Sequence, residues 1–377
     1  MVGLVNISKY PTIGFEHRLL VGNLYFITIL KQSFELKEDG TLKELNEQIG
    51  IRLHDDVQEN ARWDSVLHPS DLTPHKPKPE VILNGIAKSA TAKKEWVCGI
   101  DIKQLKNNRS IEQWSKQILV TGERYWYKSA SSWHLQAITP ITQVSLNYEN
   151  AYGGHYQLID NQQSTDNSDI IDINYPSNPS GCGWLPDEEA LKSFTLKQKN
   201  SFNEQIQSLQ TLKAPQLFIV KGNNEQNFSN LSDPKKPIQV AGFGAYTNFW
   251  QARHQYIADD LDWSEDSAYG GYPVDFDMKH WQQAPTDQWL EFELKGNEIV
   301  TLTGFFPEGK QSYQLPNLEA YIVVKDPEQM AIKLSMAIDT LIIDTEKRTL
   351  EVLWRRIVLL SELGPETVIV CNAISTL

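Results

Sequence analysis

The sequence is poor in cysteine. Its 377 residues include only Cys98, Cys182 and Cys371, which lie far apart and contain no CxxC pair. An odd number of widely spaced cysteines argues against a disulfide framework and against a structural zinc site. No group of Cys and His residues has the spacing of metal ligands. We therefore expect a protein that needs neither a metal ion nor another cofactor.

Long hydrophobic runs are also missing. The most apolar early stretch, Leu24 to Leu30, is too short to span a bilayer. The first ten residues, MVGLVNISKY, do not contain the basic region and long apolar run that are typical of a signal peptide. These two observations predict a cytoplasmic protein without a membrane span.

Positive charge is scarce relative to negative charge. The chain has 35 Lys and Arg residues against 48 Asp and Glu residues, which gives a formal net charge of −13. No run of Lys and Arg is dense enough to form the basic face that nucleic-acid binding requires. The acidic balance has two interpretations: it keeps the protein soluble, or it attracts basic partner surfaces at long range.

Common catalytic motifs are absent as well. The sequence contains neither G-x-S-x-G nor H-E-x-x-H. The run GFGAYTNFW, which starts at Gly242, contains G-x-G but continues with aromatic residues, whereas a phosphate-binding loop needs another glycine and a helix. Cys182 lies between two glycines in NPSGCGW and has no histidine nearby in sequence. We interpret it as a small buried thiol in a tight turn rather than a reactive one.

Turn residues and alternating apolar residues are abundant. The chain has 21 glycines and 18 prolines among β-branched and aromatic runs, and its hydrophobic period is mostly two. This pattern predicts a mainly β fold, with antiparallel β-sandwich-like sheets and a few short helices. Asp39-Gly40 predicts a hairpin turn, and the prolines of HKPKP predict the approach to an apolar strand from Val81 to Leu83.

The run AIDTLIIDTEKRTLEVLWRRIVLL predicts a second hairpin. Leu341 and Ile343 share one face of its first strand, and residues 346–348 turn the chain. The returning strand continues the same face with Leu350, Val352 and Trp354.

Two helices and one polar segment complete the expected organisation. Helix is indicated within residues 187–213 and in the short run that follows Asp326-Pro327, which resembles a helix start. Residues 157–180 are rich in Asn, Asp, Ser and Gln. We expect them to form a mobile loop or a seam between two β subdomains of a single domain, 1–377, and to become ordered when a partner binds.

The stretch GGYPVDFDMKHWQQAPTDQW, residues 270–289, concentrates side chains that are capable of chemistry. Asp275 and Asp277 would share one face of a strand, and paired carboxylates serve as acid and base in glycoside hydrolysis. His280 would join them as a metal ligand. The other interpretation is structural, because Asp side chains in turns cap backbone N–H groups. We favour the structural interpretation and keep a β-sandwich hydrolase as the alternative.

Four tryptophans lie within forty residues of one another, at positions 250, 263, 281 and 289. Such rings bind sugars in carbohydrate-binding modules, and they also anchor protein interfaces. Core packing is the default role for most of them. A carbohydrate-binding module is therefore a further alternative.

A series of motifs, in order along the chain, resembles the DUF2169 family. The motifs are KQSFELKEDGTL (31–42), HPSDLTPHKPKPEVILNGIA (68–87), GERYW (122–126), VSLNYENAYGG (144–154), NPSGCGW (178–184), AGFGAYTNFWQAR (241–253), YPVDFDMKHWQQAPTDQ (272–288), LKGNEIVTLTGFFPEG (294–309), LP (315–316) and IDTLIIDTEKRTLEVLWR (338–355). Together they span nearly the whole chain. The sequence departs from the family pattern at Glu123, where aspartate is usual, and at Ser145, where proline is usual.

This resemblance implies an adaptor, or effector chaperone, of a type VI secretion system. Such a protein binds a toxic effector and helps it to associate with the PAAR-repeat protein and the VgrG spike. No catalytic residues belong to this role, so the resemblance implies that the chain is not an enzyme. We accordingly assign a structural, framework role to Trp250, Arg253, Asp275, Asp277, Asp287 and Gln288.

Overall fold

The computed structural model describes most of the chain. The described residues are 2–20, 23–59, 62–106, 109–130, 132–159, 170–220, 234–257, 272–273, 276–326, 330–364 and 366–374. Within them the chain forms 26 β-strands and two α-helices, numbered below in chain order. The predicted mainly β fold with few helices is confirmed.

The largest sheet combines strands from both ends of the chain. Its six strands are β2 (Thr12–Leu20), β3 (Asn23–Leu36), β4 (Leu42–Glu44), β7 (Glu80–Asn84), β24 (Ala337–Asp344) and β25 (Thr349–Leu359). Their order is β2-β3-β25-β24-β7, and β4 pairs with β3. All neighbours are antiparallel except β24 and β7, which run parallel.

Two further sheets complete the main body. The five-stranded sheet contains β9 (Glu95–Lys106), β10 (Arg109–Thr121), β19 (Leu217–Ile219), β20 (Ile299–Thr303) and β21 (Gln311–Gln314), in the order β19-β10-β9-β20-β21. The four-stranded sheet contains β1 (Gly3–Asn6), β22 (Glu319–Lys325), β23 (Ile332–Ser335) and β26 (Val368–Ile374), in the order β1-β26-β22-β23.

The remaining elements are small. A three-stranded sheet consists of β12 (Ser132–Leu135), β11 (Tyr125–Ser129) and β18 (Thr211–Lys213). Strand pairs are formed by β5 (Asp56–Val57) with β6 (Val66–His68), β8 (Ile86–Lys93) with β13 (Ile141–Ser145), β14 (Tyr152–Gly153) with β17 (Cys182–Gly183), and β15 (His155–Ile159) with β16 (Ile170–Asn174). The helices are α1 (Leu196–Ser208) and α2 (Gln251–His254). Neither helix has the length and apolar character that crossing a membrane requires.

One hydrophobic core joins the three largest sheets. It contains Phe34 of the six-stranded sheet, Ile100 of the five-stranded sheet and Ile322 of the four-stranded sheet, all fully buried. A second core gathers around Trp126 and includes Phe202 of α1. The three large sheets therefore share one hydrophobic core. This core accounts for much of the apolar surface that the chain removes from water on folding.

The predicted β24–β25 hairpin is confirmed with its predicted face. Its inward residues all belong to the main core: Leu341, Ile343, Leu350, Val352 and Trp354. The turn between the strands places Arg348 at a φ of +53°. The Asp39-Gly40 turn between β3 and β4 is also confirmed, with Gly40 at a φ of +82°, and the strand from Val81 to Leu83 is β7.

The two helix predictions have different outcomes. Within 187–213, α1 begins after a capping box formed by Thr195 and Gln198, so that prediction is confirmed for residues 196–208. The helix predicted after Asp326-Pro327 is wrong for residues 332–335, which form β23. Ile332 and Leu334 alternate and pair with β22, and this tertiary pairing outweighs the local start signal.

The polar segment 157–180 is only partly described. Its ends contribute to the antiparallel pair of β15 and β16, and residues 160–169 lie outside the described part of the chain. The seam and the ordering of this segment on partner binding stay predictions. Within the stretch 270–289 that the sequence analysis describes, residues 282–284 and 288 bind strand β7 of the six-stranded sheet.

Candidate functional site

The two faces of the six-stranded sheet differ in chemistry. One face carries the main hydrophobic core, whereas the other carries Lys31, Glu80 and Glu351 in strands β3, β7 and β25. We call this second face the polar face. A small apolar patch that includes Ile82 and Leu353 lies between its charged residues. Burying charges is costly unless each is paired and hydrogen-bonded, so the partners of these groups decide what the face can do.

Lys31 belongs to a closed group of four charges. Its Nζ lies 2.5 Å from Asp71 Oδ2 and 3.1 Å from Glu351 Oε2, and it donates to the carbonyl of Gly50 at 2.9 Å. Arg52 binds both oxygens of Glu351, at 2.5 and 2.6 Å. Burial acts to raise the pKa of Glu351, but the bonds from Arg52 and the charge of Lys31 outweigh it and hold that pKa below its ordinary value. Two cations and two anions thus neutralise one another.

Glu80 fastens the segment 282–284 to the sheet. Its carboxylate accepts hydrogen bonds from Gln282 Nε2 at 2.8 Å, from the backbone N–H of Gln283 at 3.0 Å and from that of Ala284 at 3.1 Å. Lys76 forms an ion pair with Glu80 and donates to Gln283 Oε1 at 2.9 Å. This cluster joins two motifs that are more than 200 positions apart in the sequence.

Gln288 extends the same connection. Its side-chain amide donates to the carbonyls of Val81, at 2.5 Å, and Phe243, at 2.8 Å, and its oxygen accepts from Lys116 Nζ at 2.7 Å. Lys116 Nζ also lies 2.7 Å from Asp287 Oδ1. Burial lowers the pKa of Lys116 despite the attraction of Asp287. The Gln288 side chain therefore connects β7, the segment around residue 243 and β10 through its hydrogen bonds.

Arg253 and Trp250 organise the adjacent segment. The Arg253 guanidinium donates to the carbonyls of His280, at 3.1 and 3.2 Å, and Tyr246, at 3.1 Å. Trp250 is fully buried and packs edge-on against Tyr148, with 5.5 Å between the ring centroids. Both side chains thus make their contacts inside the protein. The five N–H groups of a guanidinium can donate to several carbonyls at once.

The glycines of AGFGAYTNFWQAR also serve packing. A Cβ added to Gly242 would lie 2.4 Å from the ring of Tyr148, closer than real side chains approach one another. The Tyr148 hydroxyl donates to the carbonyl of Gly244 at 3.0 Å. Here Gly242 permits the close approach of an aromatic ring, which is a structural reason for a G-x-G pattern without a phosphate.

The carboxylates of YPVDFD are the candidates for catalysis. Asp275 lies outside the described residues. Asp277 caps the 3₁₀ helix Met278–Trp281 by accepting from the N–H of Lys279 at 2.9 Å, and it pairs with Lys279 Nζ at 3.2 Å. Its side chain is 40% exposed. Capping is the role that the structural interpretation assigns to it.

His280 lies beside this cap but faces inward. Its Nδ1 is 3.4 Å from the carbonyl of Arg253. Burial, followed by the charge of Arg253, lowers the pKa of His280 to about 4, so the ring is neutral near pH 7. Throughout the described residues, no group of three or more His, Cys, Asp or Glu side chains converges closely enough to hold a metal ion.

The cysteines and tryptophans of interest are largely enclosed. Burial raises the pKa of Cys182 to about 12 and that of Cys371 to about 11, which keeps both thiols protonated at neutral pH. Trp281 packs edge-on against Tyr272 at 5.6 Å, and Trp289 donates to the carbonyl of Ala284 at 2.9 Å. Trp263 lies outside the described part of the chain.

One cleft adjoins the framework residues. It has a volume of about 270 Å³ and is lined by Lys116, Arg253, Asp287 and Trp289 among others. Lys116 and Asp287 form an ion pair inside the cleft, so Asp287 neutralises the charge of the Lys116 ammonium. The arrangement can hold a small polar group, but the amine that would act as a nucleophile is already bound by Asp287 and Gln288.

Sequence reasoning missed the charged residues of the polar face. Lys31, Arg52, Asp71 and Glu351 form one largely buried group of ion pairs, and Glu80 forms another with Lys76, but none of the sequence motifs predicted either group. A signal was present: the runs FITILKQSF and LEVLW each contain one charged residue among residues without charge, most of them apolar. A charge in such a position must find a partner.

Comparisons with known proteins give one result. No curated protein matches the chain. No solved structure matches it either. A family model, described as "Uncharacterized protein conserved in bacteria (DUF2169)", matches residues 22–355, far more than half of the chain. The motifs that carry the polar face and its covering segments fall within that range, and the chain belongs to the DUF2169 family.

Proposed function

We propose that this protein is a cytoplasmic adaptor, or effector chaperone, of a type VI secretion system. In this proposal it binds a toxic effector and helps to load it onto the PAAR-repeat protein and the VgrG spike, and it catalyses no reaction. The resemblance of the motif series to such adaptors supports the partner class, and the family model matches residues 22–355.

One structural observation favours binding over catalysis. The polar groups of the family motifs are used inside the protein: Gln288 binds two backbone carbonyls, Arg253 binds two more, and Glu80 binds two backbone N–H groups. Catalytic groups must remain free to reach a substrate. Residues that are fully engaged with the backbone serve the fold, so recognition is left to the surface.

The experiment that tests this proposal uses the full chain and the product of the neighbouring effector gene. Both proteins are purified and titrated against each other calorimetrically. We expect a complex with a dissociation constant of about 1 μM or tighter, equivalent to about −8 kcal/mol. If charge steers the encounter, the association rate falls as salt rises while the dissociation rate changes less. Absence of a complex at micromolar concentrations with every neighbouring gene product would refute the adaptor function.

A matched assay addresses the hydrolase alternative. The variant Asp277→Ala removes a half-exposed carboxylate that caps a short helix. We expect effector binding to persist in this variant, with a small loss of stability from the lost cap. Hydrolysis of a glycoside by the parent protein, abolished in a variant that melts like the parent, would instead favour the enzyme.

A further inference from the structure

The exposed apolar side chains concentrate on the four-stranded sheet. Nine large hydrophobic residues of the described chain are exposed, and five of them lie in or directly beside strands of this small sheet: Val5, Ile7, Met330, Ile332 and Ile374. Val5 and Ile7 lie at the β1 edge of this sheet, whereas Met330 and Ile332 lie at the opposite edge, by β23. Isolated exposed apolar residues are normal, whereas neighbouring ones such as Met330 and Ile332 are typical of an interaction site.

The sheet also ends in an open strand. β23 is its last strand, and among the described residues nothing pairs with its outer edge. An edge strand presents unpaired backbone N–H and C=O groups that can pair with another chain. The four residues of β23 include no proline, which would block such pairing.

A groove runs beside this edge. Its volume is about 330 Å³, and it lies between the inward side of β22 and β23 and the end of β25. Leu334 and Ile332 alternate toward it from β23. The other apolar lining residues include Val324, Ile357, Val358 and Leu363. A strand added to β23 would therefore direct alternate side chains into an apolar recess.

The groove contains one cation, Arg356, and one anion, Asp326, in a chain of net charge −13. Arg356 lines it, and the only hydrogen bond of its side chain within the described residues is from Nη1 to the carbonyl of Ser335, at 3.4 Å. Its Nε is buried without a hydrogen-bond partner. Asp326, the acidic residue of the groove, already accepts from the N–H of Gly364 at 2.9 Å. A guanidinium in this state is complementary to a carboxylate brought by a ligand.

We propose that β23 and this groove bind an extended segment of the partner protein, which adds as a fifth strand to the four-stranded sheet. Apolar side chains of the segment enter the groove, and an Asp, Glu or C-terminal carboxylate binds Arg356. In strand addition the main-chain hydrogen bonds supply affinity and the pockets for alternate side chains supply specificity. The inference rests on the proposed function, in which that partner is the effector.

Binding of the purified, co-encoded effector to three variants tests this inference. Ile332→Asp and Met330→Asp place a carboxylate at the edge, and Arg356→Glu reverses the charge in the groove. We expect each to weaken binding by about tenfold or more, since removal of anchoring residues dominates interface energetics. Leu196→Asp is the control, because Leu196 is also an exposed apolar residue and lies on α1. We expect it to bind within about twofold of the parent.

The outcomes separate the two proposals. If the parent binds and the three variants bind within about twofold of it, the groove is not the docking site and the adaptor function stands. If the parent binds neither the effector nor any other neighbouring gene product, the adaptor function falls and this inference falls with it. Met330 is 88% exposed, so we expect Met330→Asp to keep the fold, and weaker effector binding by this variant would come from the changed surface. The melting temperature of the variant checks that the fold is kept.

Discussion

The polar face of the six-stranded sheet and the outer edge of the four-stranded sheet use charge in opposite ways. On the polar face, Lys31 and Glu80 are buried and every charge is matched by another part of the same chain. At the edge, Arg356 has no acidic partner in the described residues, and Met330 and Ile332 face solvent. Polar groups that are hydrogen-bonded or ion-paired within the chain stabilise the fold. Surface groups that lack such partners are available to bind another protein.

The largest expected effect concerns the buried Glu80. Glu80→Ala removes the acceptor of two backbone N–H groups and leaves Lys76 buried without its anion. Breaking such a pair on one side costs about 3–5 kcal/mol of unfolding free energy. Denaturant unfolding measures it. Glu291→Ala is the control, because Glu291 pairs with Lys78 at the surface and its loss costs less than about 1 kcal/mol. Equal losses for the two variants would contradict the structural role of the polar face.

Gln288→Ala is expected to have the next largest effect. It removes donors to the carbonyls of Val81 and Phe243 and the acceptor of Lys116. Losing buried bonds of this kind costs about 2–3 kcal/mol. The matched control is Gln255→Ala, since Gln255 is exposed and, among the described residues, its side chain donates only to the nearby carbonyl of Ala252. A difference of less than about 0.5 kcal/mol between the two unfolding free energies would remove Gln288 from the framework.

A smaller effect depends on pH. His280 has a pKa of about 4 in the folded protein against 6.5 for an ordinary histidine, because burial disfavours the charged ring. The unfolded chain therefore binds a proton first, and stability is full above pH 6.5 and falls as the pH drops toward 4. We expect this residue to contribute a loss of about 1–3 kcal/mol over that window. His280→Gln should flatten the decline in thermal unfolding scans. An unchanged pH profile would mean that His280 is not buried as described.

The smallest effect is expected at the open edge. Met330→Asp changes a side chain that is 88% exposed, so the unfolding free energy should stay within about 0.5 kcal/mol of the parent. The matched Leu341→Asp places the same carboxylate in the main core and should unfold the protein. Destabilisation by Met330→Asp comparable to that of Leu341→Asp would show that the edge belongs to the framework rather than to a binding surface.

The elements with a regular period could be read from the sequence. The β24–β25 hairpin, β7 and α1 follow from alternation, turn residues and a capping box, all of which are local. The helix predicted after Asp326 failed for residues 332–335 because pairing with β22, a tertiary interaction, decides that segment. Short apolar runs are ambiguous when only the local sequence is considered.

The polar face could not be read in the same way. Arg52 and Glu351 are 299 positions apart, and no local rule connects them. The sequence predicted a structural role for the stretch 270–289, but not that Glu80 binds residues 282–284. The open edge was equally hidden, since Arg356 follows Arg355 in the sequence while only Arg355 has a buried anionic partner, Asp339, among the described residues. The fold gives these two neighbouring arginines different partners, and the local sequence does not indicate that difference.

Hydrogen exchange of the full chain, with and without the purified effector, tests the contrast between the two regions most directly. We expect the backbone N–H groups of β23, Ile332–Ser335, to gain protection when the effector binds. We expect β7, Glu80–Asn84, and residues 282–284 to be protected already and not to change. Protection gained along residues 276–288, with none at β23, would contradict the account, because it would place the partner on the framework and leave the open edge without a role.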